Sequence, residues 1–78
     1  MGKYEYSFSL PEVPEWMKPE EWEGSMEYEI RKCLEKYNVH SISFSGRAMT
    51  VATAHALADG QIRAIEGRYG FHHAKRLK

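Results

Sequence analysis

From Lys3 to Leu10 apolar and polar residues alternate without a break. Tyr4, Tyr6, Phe8 and Leu10 fall on one side, and Lys3, Glu5, Ser7 and Ser9 on the other. That period of two predicts a half-buried strand with an aromatic inner face. The same period returns between Val39 and His55, where Ile42, Phe44, Met49 and Val51 are separated by Ser, Thr and Ala around a Ser-Gly-Arg-Ala turn at 45–48. A two-residue loop at Gly46-Arg47 pairs Ser45 with Ala48, Phe44 with Met49 and Ile42 with Val51, which puts Ile42 and Val51 in the core and both apolar pairs on one face. Arg47 suits a second central position of positive φ poorly, so a slightly longer loop is the alternative.

Between these strands the period changes. Residues 11–19 carry three prolines and neither extend a strand nor begin a helix before Pro19. Trp16 and Met17 in this stretch are expected to fold back as a lid over one end of the core, or to form a binding loop. Trp22, Met26, Ile30, Cys33, Leu34 and Tyr37 then trace one helical stripe. Pro19 suits its first turn, with Glu20 and Glu21 at the positive end. Gly24 weakens that turn, so the regular helix is expected from about Ser25, and Asn38 is a left-handed stop. On this stripe Cys33 reads as a small core hydrophobe. After the hairpin, Asp59 is expected to cap a second helix with Ala58, Ile62, Ile65 and Tyr69 inward, ended by Gly70. Phe71 and Leu77 are in phase for an inner face, but His73 and Lys75 between them are not. A frayed edge strand guarded by Lys and Arg accounts for that.

The order is strand, helix, strand, strand, helix, strand. It predicts one small α+β domain over residues 1–78, a ferredoxin-like βαββαβ sandwich with two helices on one face of a four-stranded antiparallel sheet of order 4-1-3-2. The competing pattern takes 48–69 as a single helix, against the β-branched Thr50, Val51 and Thr53 and the interrupting Gly60.

In element order the chain resembles the heavy-metal-associated domains, whose ending is similar to the short helix running into Gly70-Phe71 and a basic strand. Their pair of cysteines two residues apart after the first strand is absent, and residues 11–17 contain no cysteine. The resemblance therefore implies a layout and no metal chemistry. The layout is similar also to RNA-recognition modules, which stack bases on aromatics of the two central strands. Here the outward residues of those strands are Glu5, Ser7, Ser9, Ala48, Thr50, Ala52 and Ala54, so there is nothing to stack on.

Composition narrows the classes. Five Tyr, three Phe and two Trp in 78 residues speak for a packed core. One cysteine excludes an internal disulfide and, with no apolar run of membrane-span length, points to a cytoplasmic protein that engages no membrane. The zero net charge conceals an asymmetry. Residues 1–38 hold nine Glu against five Lys or Arg, and residues 39–78 hold two acids against six bases, with all four His. Arg63, Arg68, Lys75 and Arg76 form a candidate anion or nucleic-acid patch, or else a solvated rim.

The search for chemistry finds no phosphate loop, no paired-cysteine site and no nucleophile beside a base, so no catalytic, cofactor or metal residue is assigned. On the hairpin register His40 faces Thr53 and stands near His55, where a carboxylate such as Glu35 would complete a metal site. What stands out is the outward face: Ser7, Ser41, Ser43, Thr50 and Ala52 leave it smooth and uncharged at its centre, unlike a face made only for water. These residues, with Trp16 and Met17, are the candidate partner-binding set, and the uncharged second strand offers an edge for strand addition. The expectation is a non-enzymatic protein-binding module, a modulator or inhibitor of the sort compact phage or plasmid products supply, acting on another protein or on itself as a homodimer. The alternatives are a ligand- or metal-binding regulatory domain using His40 and His55, and a nucleic-acid binder using the basic half.

Overall fold

A computed structural model of the chain describes residues 3–78. The elements run β1 (Tyr4–Ser9), α1 (Pro19–Cys33), a single 3-10 turn (Glu35–Tyr37), β2 (Val39–Ser45), β3 (Ala48–Thr53), α2 (Asp59–Tyr69) and β4 (His72–Arg76). The sheet order is β2-β3-β1-β4, and each neighbouring pair is antiparallel. This is the ferredoxin-like sandwich that the alternation predicts. The single long helix over 48–69 does not form, because β3 holds Thr50, Val51 and Thr53 in extended backbone. Thr53, fully buried, then donates its hydroxyl to the His55 carbonyl at 2.7 Å and turns the chain out of the sheet.

The hairpin has the expected pairs: Ser45 with Ala48, Phe44 with Met49, Ile42 with Val51. Gly46 sits at φ +60°, whereas Arg47 keeps a negative φ. That is the sign pattern of a II′ turn, which needs a left-handed residue only at its first central position, so Arg47 fits and no longer loop is required. Met49 and Val51 are fully buried, and they share one core with Tyr6 and Phe8 of β1, Leu10 just after it, and Ile30, Leu34, Leu57, Ile65 and Phe71 from the opposite layer and its connections. Ile42 is only half-buried, because it lies on the outermost strand.

α1 starts at Pro19 and runs through Gly24 without a break, so the expected late start near Ser25 is corrected. A single glycine weakens a helix by about 1 kcal/mol. Trp22 on its buried side and the favourable ends, Glu20 and Glu21 first and Arg31 and Lys32 last, outweigh that. Asn38 ends the following turn at φ +56°. In α2 the cap differs from expectation. Ala58 holds the N-cap position with no side-chain bond, and Asp59 is the first helical residue. Ala58 is exposed, and Leu57 takes the inward place before the helix. Leu57 and Ile62 thus occupy the two positions of a hydrophobic staple. The Leu57 N–H donates to the Tyr6 hydroxyl at 2.9 Å in the interior.

β4 holds the main departure. Its register against β1 slips between Ser7 and Ser9, and His73 takes φ +52°. The extra residue shifts the phase, so Phe71 and Ala74 both point inward although they are three apart. Leu77, expected inward, instead lies beside Glu5, 48% exposed; its N–H reaches the Glu5 carbonyl at 2.7 Å.

Candidate interaction surface: the outer sheet face and the edge of β2

Both helices cover one face of the sheet, and the pairing determines what lies on the other. Residues directly opposite in adjacent strands share a face. One row is therefore Ser45, Ala48, Ser9 and His72, and the next is Ser43, Thr50, Ser7 and Lys75. The third runs Ser41, Ala52 and Glu5, and continues to Leu77. The candidates Ser7, Ser41, Ser43, Thr50 and Ala52 are thus brought together on one surface. Ala52 is its most covered member, at 9% exposure. A shallow hollow of ≈ 400 Å³ lies over this corner, lined by Glu5, His40, Ser41, Ser43, Thr50, Ala52 and Lys78. Glu5 and Lys78 pair across it at 3.1 Å, which neutralises the one charged position among the central strands' outward residues.

Trp16 and Met17 belong elsewhere. They sit in the connection ahead of α1, and neither lines the hollow. Met17 is half-buried against the core with its N–H on the Pro14 carbonyl, while Trp16 projects into solvent at 80% exposure. The lid reading holds for Met17 and fails for Trp16, because the four-residue turn from Pro14 that turns Met17 inward leaves its neighbour facing out.

The basic residues divide as well. Arg63, Lys75 and Arg76 border a groove of ≈ 390 Å³ between α2 and β4, but Asp59 and Glu66 share it. Arg76 stacks over the Tyr4 ring at 4.9 Å. Arg68 lies in a different hollow with Glu29, Lys32, Cys33 and Tyr69. There the Tyr69 hydroxyl donates to Glu29 at 3.3 Å and Gln61 reaches the Cys33 sulfur at 3.2 Å. Burial chiefly pushes the Tyr69 phenol above its ordinary value, with Cys33 and Glu29 adding to the rise and Arg68 opposing it. Cys33 is half-buried rather than enclosed, because this polar cluster reaches it from outside. Sequence spacing offered no sign of the cluster, since its members come from two helices far apart in the chain.

The histidine register is corrected. Val39, not His40, stands opposite Thr53, because β2 bulges between Val39 and Ser41. His40 is the inserted residue and joins the rim of the hollow, whereas His55 accepts from the Asn38 side chain at 3.3 Å when its Nε2 is unprotonated. Among the described residues, no three His, Cys, Asp or Glu stand close enough together to hold a metal ion, and no helix is long and apolar enough to cross a membrane.

The two edges of the sheet differ in a way that strand composition only hinted at. In a two-residue hairpin the flanking residues exchange both backbone bonds. Ser45, Ser43 and Ser41 therefore turn their N–H and C=O groups toward β3, and Ile42 and Phe44 turn theirs to the free edge. The parity is consistent across the sheet: Leu10 N–H meets the Arg47 carbonyl at 2.8 Å, and Glu5 bonds to Leu77 on the far side. At the opposite edge the Ala74 N–H is taken by the Glu66 carboxylate at 3.2 Å. The His73 bulge and the side chains of Lys75 and Arg76 protect the rest of β4. β2, seven residues long as VHSISFS, carries no Lys, Arg, Asp, Glu or Pro.

Comparisons with protein-family models, curated proteins and solved structures found no match.

Proposed function

We propose that this chain is a small non-enzymatic protein-binding module, a modulator or inhibitor that engages its partner through the edge of β2 and the adjoining Ser-Thr-Ala face. The observation that carries this reading is the contrast between the edges. A long, uncharged strand with open backbone groups is an aggregation liability, and proteins normally blunt it with charge, proline, a bulge or a covering segment. β4 carries charge, a bulge and the Glu66 carboxylate on one of its amides, whereas β2 has only the bulge ahead of its run 41–45. An edge left open beside a neutral, short-chained surface suits strand addition, in which the backbone supplies affinity and alternate side chains supply selectivity. The divided basic residues, with Asp59 and Glu66 among them, suit a solvated rim better than a nucleic-acid track.

The test is capture of a binding partner by immobilised protein. Ser43→Arg places length and charge on an exposed β2 position and should change stability by no more than about 0.5 kcal/mol. Capture should be lost, because an unpaired charge enclosed in an interface costs several kcal/mol. Arg76→Glu, on the guarded side, should leave capture intact. Loss with Arg76→Glu and retention with Ser43→Arg would move the function to the basic half.

A further inference from the structure

We infer that the edge of β2 pairs with the same edge of a second copy, with Ser43 on the twofold axis. The inference rests on the reading of that edge as the binding edge and identifies its occupant. An antiparallel approach that sets Ser43 against Ser43 of the second copy brings Ile42 opposite Phe44 and Ser41 opposite Ser45. Ile42 and Phe44 are the residues whose N–H and C=O groups point outward, so each side of the axis gains a reciprocal backbone pair. Ser43 then forms the closer, non-hydrogen-bonded pair, for which a small side chain is well suited.

The faces match in this register. Ile42 and Phe44 both lie on the helix-covered side, and Ser41, Ser43 and Ser45 lie on the other, so no polar residue meets an apolar one. Ile42 and Phe44 are half-buried in the single chain, and pairing an aliphatic β-branched side chain with an aromatic across the junction covers both. The strand brings no like charges to the axis, and the chain's zero net charge gives two copies no long-range repulsion. The bulge between Val39 and Ser41 ends the regular run, which confines the contact to 41–45.

The same geometry explains why association stops at two. Each copy has one competent edge, because Glu66, the His73 bulge and the basic side chains close the other. One isologous contact per chain gives a closed twofold dimer with a continuous sheet, whereas two open edges would give a filament.

Sedimentation equilibrium of the intact chain tests this directly. The wild type should sediment at twice its 9.1 kDa mass. Ser43→Lys and Ser43→Glu should each be folded monomers whose melting temperature no longer depends on protein concentration, because each sets two like charges together on the axis. An equimolar mixture of the two should restore a dimer. Thr50→Lys, in the same outward row but one strand inside, should leave the dimer intact. A wild type that remains at 9.1 kDa overturns the inference, as does a dimeric Ser43→Lys. Dissociation by Thr50→Lys also overturns it, by placing the contact on the sheet face. A monomeric wild type whose partner capture is lost in Ser43→Arg removes the second copy as occupant yet keeps the edge as the binding site. A dimer whose partner capture ignores Ser43→Arg does the reverse.

Discussion

Tyr6 shows how one side chain joins layers that the sequence keeps far apart. Its ring belongs to the inward alternation of β1, and its hydroxyl accepts the backbone N–H of Leu57 just before α2. Without that oxygen the amide would be buried and unpaired, since the chain at Leu57 has left β3 and has not yet entered the helix. Tyr6→Phe preserves the packing and removes only the acceptor. It should cost about 1–3 kcal/mol, the range for a donor left unsatisfied in the interior. Urea unfolding should show a lower midpoint with an unchanged slope; an unchanged midpoint would mean that the amide finds another partner. The ring was legible as core from its alternation, but the hydroxyl's partner was not, because nothing local links residues 6 and 57.

At the scale of elements, what the sequence conveyed well was periodicity, and what it concealed was the interruption of periodicity. β1, the hairpin and both helices follow from apolar spacing and from Pro19, Asn38 and Gly70. Both bulges are single inserted residues, at His40 and near His73, and a pattern count runs through them as though the strand were regular. The out-of-phase His73 and Lys75 were the one outward sign. That is why the pattern places Leu77 inside although it lies outside, and why Val39 rather than His40 faces Thr53. The candidate face was legible because Ser7, Ser43 and Thr50 lie within regular pairing, whereas Trp16 and Met17 sit in a loop that has no period to read. Gly24 is a different case. It interrupts the expected α1 but not the observed one, and a Cβ there meets nothing within 4 Å. Gly24→Ala should therefore stabilise the protein by about 0.5–1 kcal/mol. Thermal unfolding checks this, and a fall in melting temperature would show that the glycine serves a contact made only in a complex.

For the whole molecule, the layers and the edges account for different things. Two helices cover one face and supply the core, while the other face and the edge of β2 carry no helix. The charge asymmetry along the sequence does not become two opposed surfaces. Lys78 pairs with Glu5, and Glu29 meets Tyr69 beside Arg68, so the acidic and basic halves interleave. What distinguishes the molecule is that, among the described residues, one edge is closed by side chains of its own and the other is left as bare backbone.

Amide hydrogen exchange read residue by residue along β2, in the free chain and in the associated state, tests that distinction most directly. In the free chain Ser41, Ser43 and Ser45 should be protected by β3, while Ile42 and Phe44 exchange freely. On association the amides of Ile42 and Phe44 should become protected and the serines should keep their rates, so that the alternation along the strand disappears. Exchange at Ile42 and Phe44 that is equally fast before and after association, with new protection appearing on α1 or α2 instead, would contradict the account.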